Sequence, residues 1–205
     1  MPGPALAELV VADDAAAWSA LGFAAADGGI ALGAVRVRLA GRAAGDGIAG
    51  WALTGLASTD LDGLATTASD EPPSAAPGEH PNGATSIDHV VVLTPSLDRT
   101  AGAFERAGLH LRRVREAGEV RQGFFRAGEV IVEVVERADL EDGEPARFWG
   151  LVVVVADVDA CAELLGERLG EVRDAVQPGR RITTVRRSAG LALPVALMSP
   201  QPPRA

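Results

Sequence analysis

One of the three histidines in this 205-residue chain heads an apolar strand: His89, in the run Ser86-Ile87-Asp88-His89-Val90-Val91-Val92. An imidazole there can ligate a metal, exchange hydrogen bonds with a ligand, or act as a general base beside a carboxylate. The nearest counterpart in kind is Glu133, in the middle of Glu129-Val130-Ile131-Val132-Glu133-Val134-Val135. Strand alternation sends Val130, Val132 and Val134 to an apolar face and Glu129, Ile131 and Glu133 to the other. The same rule puts Ile87, His89 and Val91 together, opposite Asp88, Val90 and Val92. A carboxylate in mid-strand needs a partner, because an unpaired buried charge is costly. His89 and Glu133 are therefore expected a few ångströms apart.

The remaining chemistry is arginine and aromatic. All 19 basic residues are arginines, and two clusters stand out, Leu111 to Arg126 and Gln177 to Arg187. Alternation sends Arg113 and Arg115 to one face and Arg112 to the other, and separates Arg186 from Arg187. An inward arginine suits a carboxylate or phosphate through bidentate pairing. Phe124, Trp149 and Met198 are candidate pocket walls, since adjacent residues such as Phe124 and Phe125, or Phe148 and Trp149, point to opposite faces. His80, in Glu-His-Pro-Asn-Gly, reads as an exposed turn residue, and His110 as the plain start of a strand. Cys161 lies on an apolar helical stripe with Leu164, Leu165 and Leu169, and reads as buried filler.

The elements that carry these residues recur three times. Strands opening at Glu8, His89 and Leu151 each run into a capping residue (Asp13, Ser96, Asp157), a short amphipathic helix and a glycine (Gly22, Gly108, Gly170). Further strands follow each helix, so each unit reads β-α-β-β-β and the fold class is α+β. Residues 1–65 form a degenerate unit expected to pack Trp18 and Leu21 on its sheet. Residues 66–85, rich in Pro, Gly, Ala and Ser, read as an exposed linker, and residues 86–200 hold two complete units.

Composition narrows the function classes. A hydrophobic content of 47% supports a real core, and the net charge of −9 argues against nucleic acid as the main partner. No apolar run is long enough to cross a bilayer, and no basic residue precedes the first apolar stretch. The expectation is a cytoplasmic protein without a membrane partner. A single cysteine excludes an internal disulfide and a multi-cysteine zinc site.

Paired β-α-β-β-β units, with Ile87-Asp88-His89-Val90-Val91-Val92 opening the first and Val130-Ile131-Val132-Glu133-Val134-Val135-Glu136 closing it, resemble the vicinal oxygen chelate superfamily of glyoxalase and bleomycin-resistance type. The resemblance implies a curled mixed sheet forming a cup around a small molecule. It also implies a divalent metal held by His or Glu from first and last strands, and His89 and Glu133 match two such positions. The other two fall on Leu151 and Ala196, which cannot ligate, while Glu8 matches His89 in the first unit and Glu129 is a nearby carboxylate. The resulting expectation is a protein that binds a small organic, anionic molecule with His89, Glu133, Arg113, Phe124, Trp149 and Met198, with an incomplete metal site. The alternative is a metal-dependent lyase, isomerase or dioxygenase using His89 and Glu133. No other cofactor is implied, and the first unit is a candidate for pairing in a homodimer.

Overall fold

The computed structural model describes residues 3–71, 79–118 and 120–202. Its larger sheet has eight strands: β6 (Ala84–Thr94), β7 (Leu111–Ala117), β8 (Val120–Ala127), β9 (Val130–Glu136), β10 (Arg147–Val155), β11 (Arg173–Asp174), β12 (Arg181–Thr184) and β13 (Val195–Met198). They lie in the order β11-β12-β13-β10-β6-β9-β8-β7. Each half is a β-α-β-β-β unit whose first strand pairs in parallel with its last, β6 with β9 and β10 with β13. The halves meet through antiparallel β6 and β10.

The crossover helices begin where expected. In α2 (Leu97–Arg106) the Ser96 hydroxyl accepts from the Arg99 N–H at 3.3 Å, and in α3 (Val158–Leu165) the Asp157 carboxylate accepts from the N–H groups of Asp159 and Ala160. The first unit departs from this. Asp14, not Asp13, precedes α1 (Ala15–Ser19), and no side chain caps that helix. Asp13 is fully buried and accepts hydrogen bonds from the Trp18 indole and, across the fold, from the Ala192 N–H. Likewise α3 turns out at Gly166, which has φ +53°, so Gly170 is not its exit.

The N-terminal segment has the expected chain order, β1 (Ala5–Val11), α1, β2 (Gly29–Leu32), β3 (Val35–Leu39), β4 (Ile48–Thr54), and buries Trp18 and Leu21. Its pairing differs from a four-stranded unit. β4 lies on the far flank of β1, and β5 (Thr66–Ser69) adds beyond it, giving the order β2-β3-β1-β4-β5. The antiparallel β1–β4 contact, flanked by the parallel pairs β1–β3 and β4–β5, repeats the eight-stranded sheet in miniature.

The segment expected to be an exposed linker is partly structural: Thr66–Ser69 is β5, while His80 and Asn82 are buried. His80 Nδ1 accepts from the Ala24 N–H at 2.9 Å, its Nε2 lies 2.8 Å from the Ala31 carbonyl, and Asn82 donates to the Leu21 carbonyl. These side chains satisfy backbone groups that no strand reaches, which is why polar residues are buried here. Part of the segment, 72–78, lies outside the described residues.

Both sheets turn apolar faces to one core. Trp51 of β4 packs edge-on against Phe148 at 5.0 Å, and Phe104 of α2 edge-on against Phe125 at 4.9 Å, with Trp51 and Phe104 6.4 Å apart. Val90, Val92, Val132, Val134, Leu151 and Val153 supply the core face of the larger sheet. Its opposite, concave face carries the polar side chains described next.

Candidate functional site

His89 stands on the concave face, opposite the core residues Val90 and Val92, just after an irregularity in β6. Val152 of β10 pairs with His89 and Val153 with Ile87, which leaves Asp88 as an extra, unpaired residue. Ile87 and Val90 both reach the core, and the adjacent side chains Asp88 and His89 both serve the concave side. Simple alternation, which placed Asp88 on the face opposite His89, fails at this bulge.

Three further groups complete a chain of contacts. His89 Nδ1 lies 2.7 Å from Asp88 Oδ2 and Nε2 lies 3.3 Å from Glu133 Oε2. Gln122 Nε2 donates to Glu133 Oε1 at 2.6 Å. On the far side, Arg180, only 5% exposed, approaches Asp88 Oδ1 at 2.6 Å and donates through Nε to the Ser199 carbonyl. Burial alone raises the Asp88 carboxyl, but hydrogen bonds from His89 and Arg180 outweigh it and hold it below the usual carboxylate range. An ionised Asp88 only accepts, so His89 Nδ1 carries a proton and Nε2 faces Glu133. Burial raises the Glu133 carboxyl, against the opposing charges of His89 and Arg115.

The Gln122–Glu133–His89 end of this chain floors a cavity of about 690 Å³, within the range of small-molecule sites. His89, Glu133 and Gln122 meet Arg113, Arg115, Phe124, Met198, Ile182 and the segment Arg173 to Pro178 around it. Arg113 stacks over the Phe124 ring at 4.8 Å. Among the expected residues, His89, Glu133, Arg113, Phe124 and Met198 are brought together here. Trp149 is not: pairing shifts again between Phe148 and Gly150, and Trp149 lies half exposed in a separate cleft with Arg186 and Arg187.

Other expectations also shift. Leu151 faces the core at 1% exposure, so the concave positions flanking it belong to Gly150 and Val152, neither with a ligating group. Ala196 pairs with Val152 as Glu133 pairs with Val91, and its methyl group offers no ligand. Glu8 lies on the outer face of the smaller sheet, paired with Arg38 at 3.0 Å and Arg36 at 3.7 Å, away from the cup. Cys161 is buried, and burial pushes its thiol up to about 11. His110 is exposed and bonded to Glu105. Asp88, Arg115, Gln122, Arg173 and Arg180 are site residues that sequence reasoning did not single out for the pocket. Arg115 carried a signal through its alternation with Arg113, and Arg180 through its place in the second arginine cluster.

Parallel first-to-last pairing in both units, joined first strand to first strand around a shared concave face, decides the architecture. The chain has the glyoxalase/bleomycin-resistance fold. Solved structures with similar backbones include methylmalonyl-CoA epimerase from Mycobacterium tuberculosis, at 19% identity over 58% of this chain and 91% of that one, TM-score 0.48. Others are a variant of the Streptomyces coelicolor methylmalonyl-CoA epimerase in complex with 2-nitronate-propionyl-CoA (21% identity, 60% and 99% coverage, TM-score 0.47) and a hypothetical protein from Bacillus halodurans (14%, 58% and 97%, TM-score 0.46). No protein-family model matches the chain, and no curated protein matches it. In this glyoxalase-type cup, His89 Nε2 and Glu133 Oε2 are close enough to share an ion. They fall short of the roughly three protein donors a transition-metal site uses, and no group of three His, Cys, Asp or Glu side chains suited to a metal occurs among the described residues. No helix there is long and apolar enough to cross a membrane.

Proposed function

We propose that the cup binds a small organic anion, held by Arg113, Arg115 and Arg173 and oriented by hydrogen bonds to the Glu133–His89 pair. The observation that carries this reading is the charge of the cavity wall. Three arginines border it against two carboxylates, Glu133 and Asp174, and none of the three has a carboxylate within ion-pair distance among the described residues. An anion entering the cavity supplies the charge these guanidinium groups lack, through bidentate hydrogen bonds that a neutral ligand cannot accept as strongly. Phe124, Ile182 and Met198 then cover its apolar part, and the Glu133–His89 pair, 3.3 Å apart, offers polar atoms to a carbonyl or hydroxyl.

Calorimetric titration with small carboxylates and phosphate monoesters tests this. A double Arg113→Ala, Arg115→Ala variant should bind the best anion about 10- to 100-fold more weakly, given about 1.5–3 kcal/mol for a hydrogen bond to a charged group. Equal affinity in that variant refutes the assignment.

The second reading makes His89 and Glu133 ligands of a divalent ion serving a lyase, isomerase or dioxygenase reaction. What favours it is their 3.3 Å separation in one cavity, with Asp88 orienting the ring from behind as a metal-bound imidazole requires. It needs a further donor, from ligand or water, and metal analysis of the purified protein separates the two.

A further inference from the structure

A second cleft, of about 490 Å³, lies where β10 and β13 begin, outside the cup. Trp149, at 50% exposure, forms one wall, while Trp18 and Trp51 are buried. Val185, Leu191 and Pro194 line the rest, together with Arg186 and Arg187. No carboxylate lines it, on a chain whose net charge is −9, and neither arginine is in an ion pair among the described residues.

The wall is anchored from both sides. The buried Asp13 accepts from the Ala192 N–H at 2.9 Å and pairs with Arg42 at 3.1 Å, and Arg42 also donates to the Gly190 carbonyl. Arg186 donates through Nε to the Leu169 carbonyl at 2.7 Å, which fixes the plane of its guanidinium. A site held in this way before ligand arrives loses little freedom on binding.

We propose that this cleft is a second ligand site for a small aromatic carboxylate, its ring against the Trp149 indole and its charge on Arg186 and Arg187. Indole and guanidinium planes both stack on aromatic rings, and guanidinium groups pair with carboxylates. Eight lining residues are fewer than the 20 to 30 per side of a stable protein interface, so a small molecule fits the cleft better than a macromolecule.

The indole N–H signals in a two-dimensional nitrogen–proton spectrum, with Trp149 assigned by Trp149→Phe, read the site directly. Titration with 2-naphthoate should shift the Trp149 signal saturably, and the neutral 2-naphthamide should need about tenfold more ligand. A double Arg186→Ala, Arg187→Ala variant should weaken naphthoate about tenfold while leaving the Trp18 and Trp51 signals in place. The Arg113→Ala, Arg115→Ala variant should bind at Trp149 as the parent does, which separates this site from the cup. An unmoved Trp149 signal, equal response to acid and amide, a shift that survives loss of both arginines, or a stronger response to an acidic peptide would each overturn the proposal. So would a concentration-dependent dimer, seen by sedimentation, that buries Trp149.

Discussion

His89 presents Nε2 to Glu133 at 3.3 Å and Nδ1 to Asp88 at 2.7 Å, so one imidazole is held between two carboxylates from neighbouring parallel strands. Behind Asp88 stands Arg180, and the two ends of this chain behave differently: Glu133 faces the cavity, whereas Arg180 is enclosed.

Asp88→Ala should therefore destabilise the protein by about 3–5 kcal/mol, the range for leaving a buried charge without its partner. His89→Ala removes one hydrogen bond, to Asp88, and a 3.3 Å polar contact with Glu133, and should cost about 1–2 kcal/mol. Chemical denaturation of both variants checks the order; an Asp88→Ala protein as stable as His89→Ala would mean Arg180 finds water or another partner.

Phe104→Ala should cost about 3–5 kcal/mol, since the ring bridges Trp51 of the smaller sheet and Phe125 of the larger. Because the sheets share this core, calorimetry should show a single unfolding transition in both parent and variant. Two separated transitions would make the N-terminal sheet an independent unit.

The faces of His89 and Glu133 were legible because alternation is strict along β9 and resumes after the bulge in β6. The bulge itself was not legible, since one extra residue leaves the hydrophobic pattern readable in either register. It turned Asp88 toward the cup, and a second shift beside Trp149 took that residue out of it. The pairing of Arg180 with Asp88 was not legible for another reason: the two meet only through the sheet order, far apart in sequence. In the N-terminal segment the order of elements was readable but not the flank β4 takes, because both edges of β1 offer the same hydrogen bonds.

Asp13 supplies a pH signature remote from the cup. Burial raises its folded-state carboxyl above the ordinary 3.8, despite hydrogen bonds from Ala192 and Trp18. The folded protein then binds this proton more tightly than the unfolded chain, so the contribution is full below 3.8 and is lost as pH rises through the folded value. Subtracting the stability of Asp13→Asn from that of the parent, measured from pH 3.5 to 7, should give a difference that declines with pH. A flat or rising difference would show that the hydrogen bonds win over burial.

The most direct test of the cup as an anion site that works without a metal is ligand affinity before and after chelation. Protein stripped of divalent ions should bind the best small organic anion as tightly as untreated protein, and Arg115→Ala should weaken that binding at least about tenfold. Binding that vanishes on chelation and returns with one equivalent of a transition metal, but not in His89→Ala, would contradict the account.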